Sequence, residues 1–109
     1  MYISELTLEY HILNEDGNPR IATYEEWTEW HQVPENRTVV KDNIGDVLIS
    51  TVFVSFGSPV FFETMIFGGE HNETQLRYDT RAEAIQGHKD AVHKVEQTSI
   101  VVDWGRDGF

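Results

Sequence analysis

The chain has 109 residues, 19 Asp plus Glu against 8 Lys plus Arg, a formal net charge of −11, and no Cys. That balance excludes the basic footprint needed on phosphate backbones or anionic membranes, and the lack of Cys excludes disulfides, zinc–thiolate sites and thiol nucleophiles. With 39% hydrophobic and 12% aromatic residues the chain is no disordered acidic tail, and its length is that of a single domain, 1–109, with 105–109 expected as a frayed tail.

Residues 2–13 alternate Tyr2, Leu6, Leu8, Tyr10 and Ile12 with Glu5, Thr7, Glu9 and His11. This period of two predicts a half-buried strand. Asp16-Gly17 then supplies a tight turn, and Pro19 is expected to stop pairing. Thr23-Tyr24-Glu25-Glu26 reads as a capping box opening a helix over about 24–32, which Pro34 ends. On that helix Tyr24, Trp27, Trp30 and His31 form one broad aromatic face, with Glu25, Glu26 and Glu29 toward the other side.

Asn36–Lys41 and Asp46–Phe56 read as strands joined by a turn at Asp42–Gly45. Asp46–Phe56 and Val60–Phe67 are apolar on both faces, as in central strands covered on two sides. Gly57-Ser58-Pro59 is a turn, and Thr74–Tyr78 is a short edge strand. Thr80-Arg81-Ala82-Glu83 is a second capping box, opening a helix over about 81–97 with Ala84, Ile85, His88, Ala91, Val92 and Val95 on one face. Ile100–Trp104 reads as a last strand. The fold class is α+β: an antiparallel sheet of about four to five strands packed by two helices.

Two residues stand out as candidates for chemistry. Glu63 shares a strand face with Phe61, Met65 and Phe67, so its carboxylate is either desolvated or paired with a base such as Arg77, Lys41 or Arg37. His88 lies near the centre of the apolar face of the last helix, where it is a core histidine, a general base or a ligand. An acid–base pair of Glu63 and His88 requires that helix to pack on the Glu63 face. The five His residues show neither HExxH nor i,i+4 spacing, and no Walker, GxGxxG or GxSxG motif is present. No metal site or cofactor is therefore expected.

Asp16–Pro19, Trp27–Trp30, Gly45–Val47, Ser50–Phe53, Phe62–Gly69 (FETMIFGG), Arg77–Arg81, Glu83-Ala84 and Gly87-His88 together resemble a family of small proteins encoded by bacteriophages and prophages. The likeness covers about residues 14–95. Family members carry a longer loop, roughly LGLDH followed by Gly-Pro-Pro, where this chain has Val54–Pro59, so that loop's acid and His are missing here. The resemblance implies phage origin and a host-cytoplasm setting, and no mechanism.

The charge itself is uneven. Residues 1–36 hold eight acids against Arg20 alone, while 37–109 hold eleven acids against seven bases. The first functional expectation is therefore a binding module. In it Trp27, Trp30, Glu25, Glu26 and Glu29 meet a host or phage protein with a basic surface, with nucleic-acid mimicry as the strong form. The alternatives are a small-ligand or hydrolytic site around Glu63 and His88, and a minor virion structural or assembly role. No apolar run reaches the roughly 18–20 residues of a transmembrane helix, and MYISELTLEY lacks the pattern of a signal peptide, so a cytoplasmic protein without membrane contact is expected. The two-faced apolar strands also allow a homodimer.

Overall fold

The computed structural model describes residues 9–55 and 59–107, with side chains described as far as Thr98. The architecture is α+β with antiparallel sheets, as expected, but among the described residues the strands divide into two sheets and the helices number three. Strands β1 (Tyr10–Leu13) and β2 (Pro19–Ala22) form a hairpin. Strands β3 (Thr38–Ile44), β4 (Val47–Val54), β5 (Phe61–Phe67) and β6 (Gln75–Tyr78) form a meander in that order. Helices α1 (Tyr24–His31) and α2 (Pro34–Arg37) precede the meander, and α3 (Arg81–Asp107) follows it. Among the described residues no helix is long and apolar enough to cross a membrane.

Both capping boxes form. Thr23 Oγ1 accepts the Glu26 N–H while the Glu26 carboxylate accepts the Thr23 N–H, and Thr80 and Glu83 do the same at the start of α3. Four local expectations change. Pro19 opens β2 opposite Leu13, at the end of the ladder, where its missing N–H is tolerated. Pro34 starts the short helix α2 instead of only ending α1, as its fixed φ suits a first helical turn. The β3–β4 turn shortens to Gly45-Asp46, with Gly45 at φ 59°, so Asp42 lies inside β3 opposite Ile49. Residues 100–104 are helical, because Gln97-Thr98-Ser99 holds no Gly or Pro to stop α3. The expected strand over 2–8 and the turn residues Gly57 and Ser58 lie outside the described residues.

The core lies between α3 and one face of the meander. Ile49, Thr51, Phe53 and Ser55 of the β4 segment and Phe62, Thr64 and Ile66 of β5 are buried, in strict alternation. The register places Ile49 opposite Ile66, Thr51 opposite Thr64 and Phe53 opposite Phe62. Two apolar clusters result. Ile49 and Ile66 pack with Ala91 and Val95, and Phe53 and Phe62 pack with Ala84. A bulge between Thr38 and Val40 leaves Val39 unpaired, and Val39 joins the Phe53 cluster. The other sheet face carries Val52, Phe61, Glu63, Met65 and Phe67, none of them fully buried, and Phe67 is 42% exposed. The expectation that both faces of the central strands are covered holds, among the described residues, for the α3 face alone.

Gly87 lies in a close helix–sheet contact, because a Cβ there would overlap the ring and hydroxyl of Tyr78. Gly87→Ala gains up to about 1 kcal/mol of helix propensity but overpacks this contact by about 1–3 kcal/mol. The expected result is a lower midpoint in denaturant unfolding, opposite in sign to an ordinary Gly→Ala change in a helix.

Candidate functional site

The two residues singled out for chemistry are placed on opposite faces of the meander. Glu63 lies on the open face, where its carboxylate accepts a hydrogen bond from Arg77 Nε at 3.3 Å across the β5–β6 register. The Arg77 guanidinium also sits 4.4 Å from the centre of the Phe61 ring. Glu63 is thus the paired carboxylate of the two readings, its side chain 13% exposed and that of Arg77 65%. His88 lies beneath α3 on the other face, 2% exposed, against Thr51 and Thr64. The acid–base pair of Glu63 and His88 does not form, because Glu63 and Thr64 are consecutive in a strand and point to opposite sides.

His88 has other partners. Its Nε2 is 2.8 Å from Asp42 Oδ2 and its Nδ1 is 2.7 Å from Thr51 Oγ1, which in turn meets Thr64 Oγ1 at 2.5 Å. In the Nε2–H tautomer every group is used once. Nε2–H donates to Asp42, the Thr51 hydroxyl donates to Nδ1, and the Thr64 hydroxyl donates to Thr51 Oγ1. The order carboxylate, imidazole, hydroxyl resembles a nucleophile chain. Thr51 and Thr64 are fully buried, however, so no substrate atom has room beside either hydroxyl. The arrangement satisfies polar groups between two apolar clusters; Asp42, its outer end, reaches solvent with a side chain 52% exposed.

The binding candidates on α1 also separate. Trp30 turns inward, edge-on to Phe53 with ring centres 6.2 Å apart, and packs on the Phe53 cluster. It is a partly buried residue packed against the core. Trp27 stacks on His31 at 4.5 Å and meets Tyr10 at a tilt with ring centres 5.3 Å apart, and Tyr10 in turn meets Tyr24 edge-on at 5.3 Å. Trp27 Nε1 donates to Ser55 Oγ, which also lies 3.3 Å from His31 Nδ1. Burial holds the His31 imidazole below its ordinary value, and the positive charge of Arg37 adds to this. Tyr24 is 56% exposed, and Glu25, Glu26 and Glu29 all face solvent. Glu26 is committed locally: its bond from the Thr23 backbone, then its pairing with Arg20 at 3.1 Å, hold its carboxyl below the usual value. Glu25 and Glu29 form no ion pair among the described residues.

Asp42, Thr51, Thr64 and Ser55 were not expected as partners. A signal for three of them exists in the alternation Ile49, Thr51, Phe53, Ser55 against Phe62, Thr64, Ile66, which puts polar residues at core positions. Asp42 was hidden by its placement in a turn. Comparison of the chain with family models, curated proteins and solved structures finds no match. The reading of the site therefore rests on its geometry.

Two outcomes follow. His88→Ala removes packing and leaves Asp42 without its partner, and it is expected to lower stability by about 2–4 kcal/mol, whereas Glu63→Gln is expected to lower it by under about 1 kcal/mol; both are measured by denaturant unfolding. His31, with its folded value lowered, binds its proton more weakly folded than unfolded. Stability should therefore rise as pH rises from the lowered folded value to the ordinary value of 6.5, and level off above it. His31→Gln should flatten that segment of a melting-temperature profile.

Proposed function

We propose that the protein is a small acidic binding module whose α1 surface engages a basic surface on another protein. The observation that carries this is the exposed Tyr24 on the same short helix as Glu25 and Glu29, two exposed carboxylates with no ion pair among the described residues. Ile21 and Val33, before and after α1, are likewise exposed, at 62% and 43%. Aromatic and aliphatic groups with unpaired charge beside them are what a protein interface uses, the apolar groups for affinity and the charge for steering.

Tyr24 is not loose on its helix. It joins the ring stack through Tyr10 and Trp27 that ends on His31 and Ser55. Such a platform loses little side-chain entropy when a partner lands on it. The resemblance to phage and prophage proteins supports a host or phage protein as that partner, and a host-cytoplasm setting. In the strong form of the reading the carboxylates of the first third of the chain stand in for nucleic-acid phosphates on a basic groove.

The test keeps Glu26, which caps the helix, and changes Glu25→Lys and Glu29→Lys together. Immobilised wild-type protein is expected to retain a specific host or phage protein at about 0.05 M salt and to release it toward about 0.5 M, as screened charge requires. The double variant should fold normally and lose that protein by at least about tenfold, a difference of about 1.4 kcal/mol. Equal capture by wild type and variant would overturn the reading.

A further inference from the structure

A cleft of about 370 Å³ opens beside the core, away from Glu25 and Glu29. The β1–β2 turn forms one wall with Glu15, Asp16 and Gly17. The start of α2 adds Glu35, and the first residue of α3, Arg81, forms a further wall. The cleft surface is mostly polar, but Leu13, Trp30 and Val39 also line it, and because these three pack against the Phe53 cluster the cleft is anchored in the core.

Arg81 is the unusual member. It is half-buried and lies against Gly17, where a Cβ would overlap its side chain. Three carboxylates line the same cleft, yet Arg81 forms no ion pair and donates no hydrogen bond among the described residues. Its planar fork matches a carboxylate bidentately. Glu15, Asp16 and Glu35 are exposed and form no ion pair among the described residues either. The cleft thus offers charges of both signs, with three negative groups against one positive, around an indole and two aliphatic side chains.

A purely anionic ligand would meet three carboxylates there, and a purely cationic one would leave Arg81 unpaired. We propose that the cleft binds a free basic α-amino acid, of the lysine or arginine type. Its α-carboxylate pairs with Arg81, its α-ammonium and side-chain cation pair with the carboxylates, and its aliphatic stem lies on Trp30. The volume is within the range of small-molecule sites. This inference does not depend on the α1 surface, and the two separate experimentally, since Glu25 and Glu29 do not line the cleft.

The test is calorimetric titration of the full chain with L-lysine, L-arginine, agmatine, which lacks the carboxylate, and N-acetyl-L-arginine, which lacks the ammonium. At least one of the two amino acids is expected to saturate the protein below about 10 mM, with agmatine and the acetylated compound weaker by about tenfold or more. Arg81→Gln and Glu35→Gln should each weaken amino-acid binding by about tenfold with little change in unfolding midpoint. The Glu25→Lys, Glu29→Lys protein should bind the amino acid as wild type does. Agmatine or acetyl-arginine binding as well as L-arginine, absence of saturation by either amino acid, or unchanged binding in both Gln variants would overturn the proposal.

Discussion

The fold depends on a polar bar laid across its core. Thr64, Thr51, His88 and Asp42 connect β5, β4, α3 and β3 in one hydrogen-bonded line, with Ile49 and Ile66 on one side and Phe53 and Phe62 on the other. Buried hydroxyl and imidazole groups are costly unless paired, so this line acts as a register mark. Slipping β4 against β5 by one residue would turn the core set of that strand to the open face, and sliding α3 by one turn would leave the threonines under an aliphatic residue. Apolar burial alone is tolerant of such shifts. The polar bar is not.

A second consequence concerns α1. It is short, none of its residues is fully buried, and it is held through its aromatic face. Trp30 reaches the Phe53 cluster, and Trp27 and His31 converge on Ser55 at the end of β4. The β4 alternation therefore serves twice, for Thr51 fixes α3 and Ser55 receives α1. The acidic side of α1 is left to solvent because Trp27, Trp30 and His31 on the other side are spent on attachment, with Tyr24 of that side still exposed. The same attachment brings α2 and the β1–β2 turn toward the start of α3, which is what shapes the cleft around Arg81.

Much of the local structure was legible in the residues. Both capping boxes, the tight turn at Asp16-Gly17, the central strands and the apolar stripe of α3 follow from short-range rules, in which a side chain answers its neighbours three or four residues away. At two positions a local preference competes with pairing and loses. Pro19 and Asp42 both read as turn residues, and both ended in strands because ladder formation with Leu13 and Ile49 outweighs weak turn preference. Ile100–Trp104 is rich in β-branched residues, yet it continues a helix already nucleated at Arg81, where each further residue adds a bond at little entropic loss.

The sequence by itself determined the class of the protein: acidic, without Cys, α+β, with its negative charge concentrated in the first third and a histidine on the inner face of the last helix. Those properties are sums or near-neighbour patterns, and no long-range geometry is needed to read them. Only the tertiary structure decided that Glu63 and His88 lie on opposite sides of the sheet, that His88 answers to Asp42 across 46 residues of chain, and that Arg81 lines one cleft with Glu15, Asp16 and Glu35 without pairing to any of them. Each of these depends on which strand face meets which helix face. That choice is made by burial of the whole apolar set at once, and no single residue carries it.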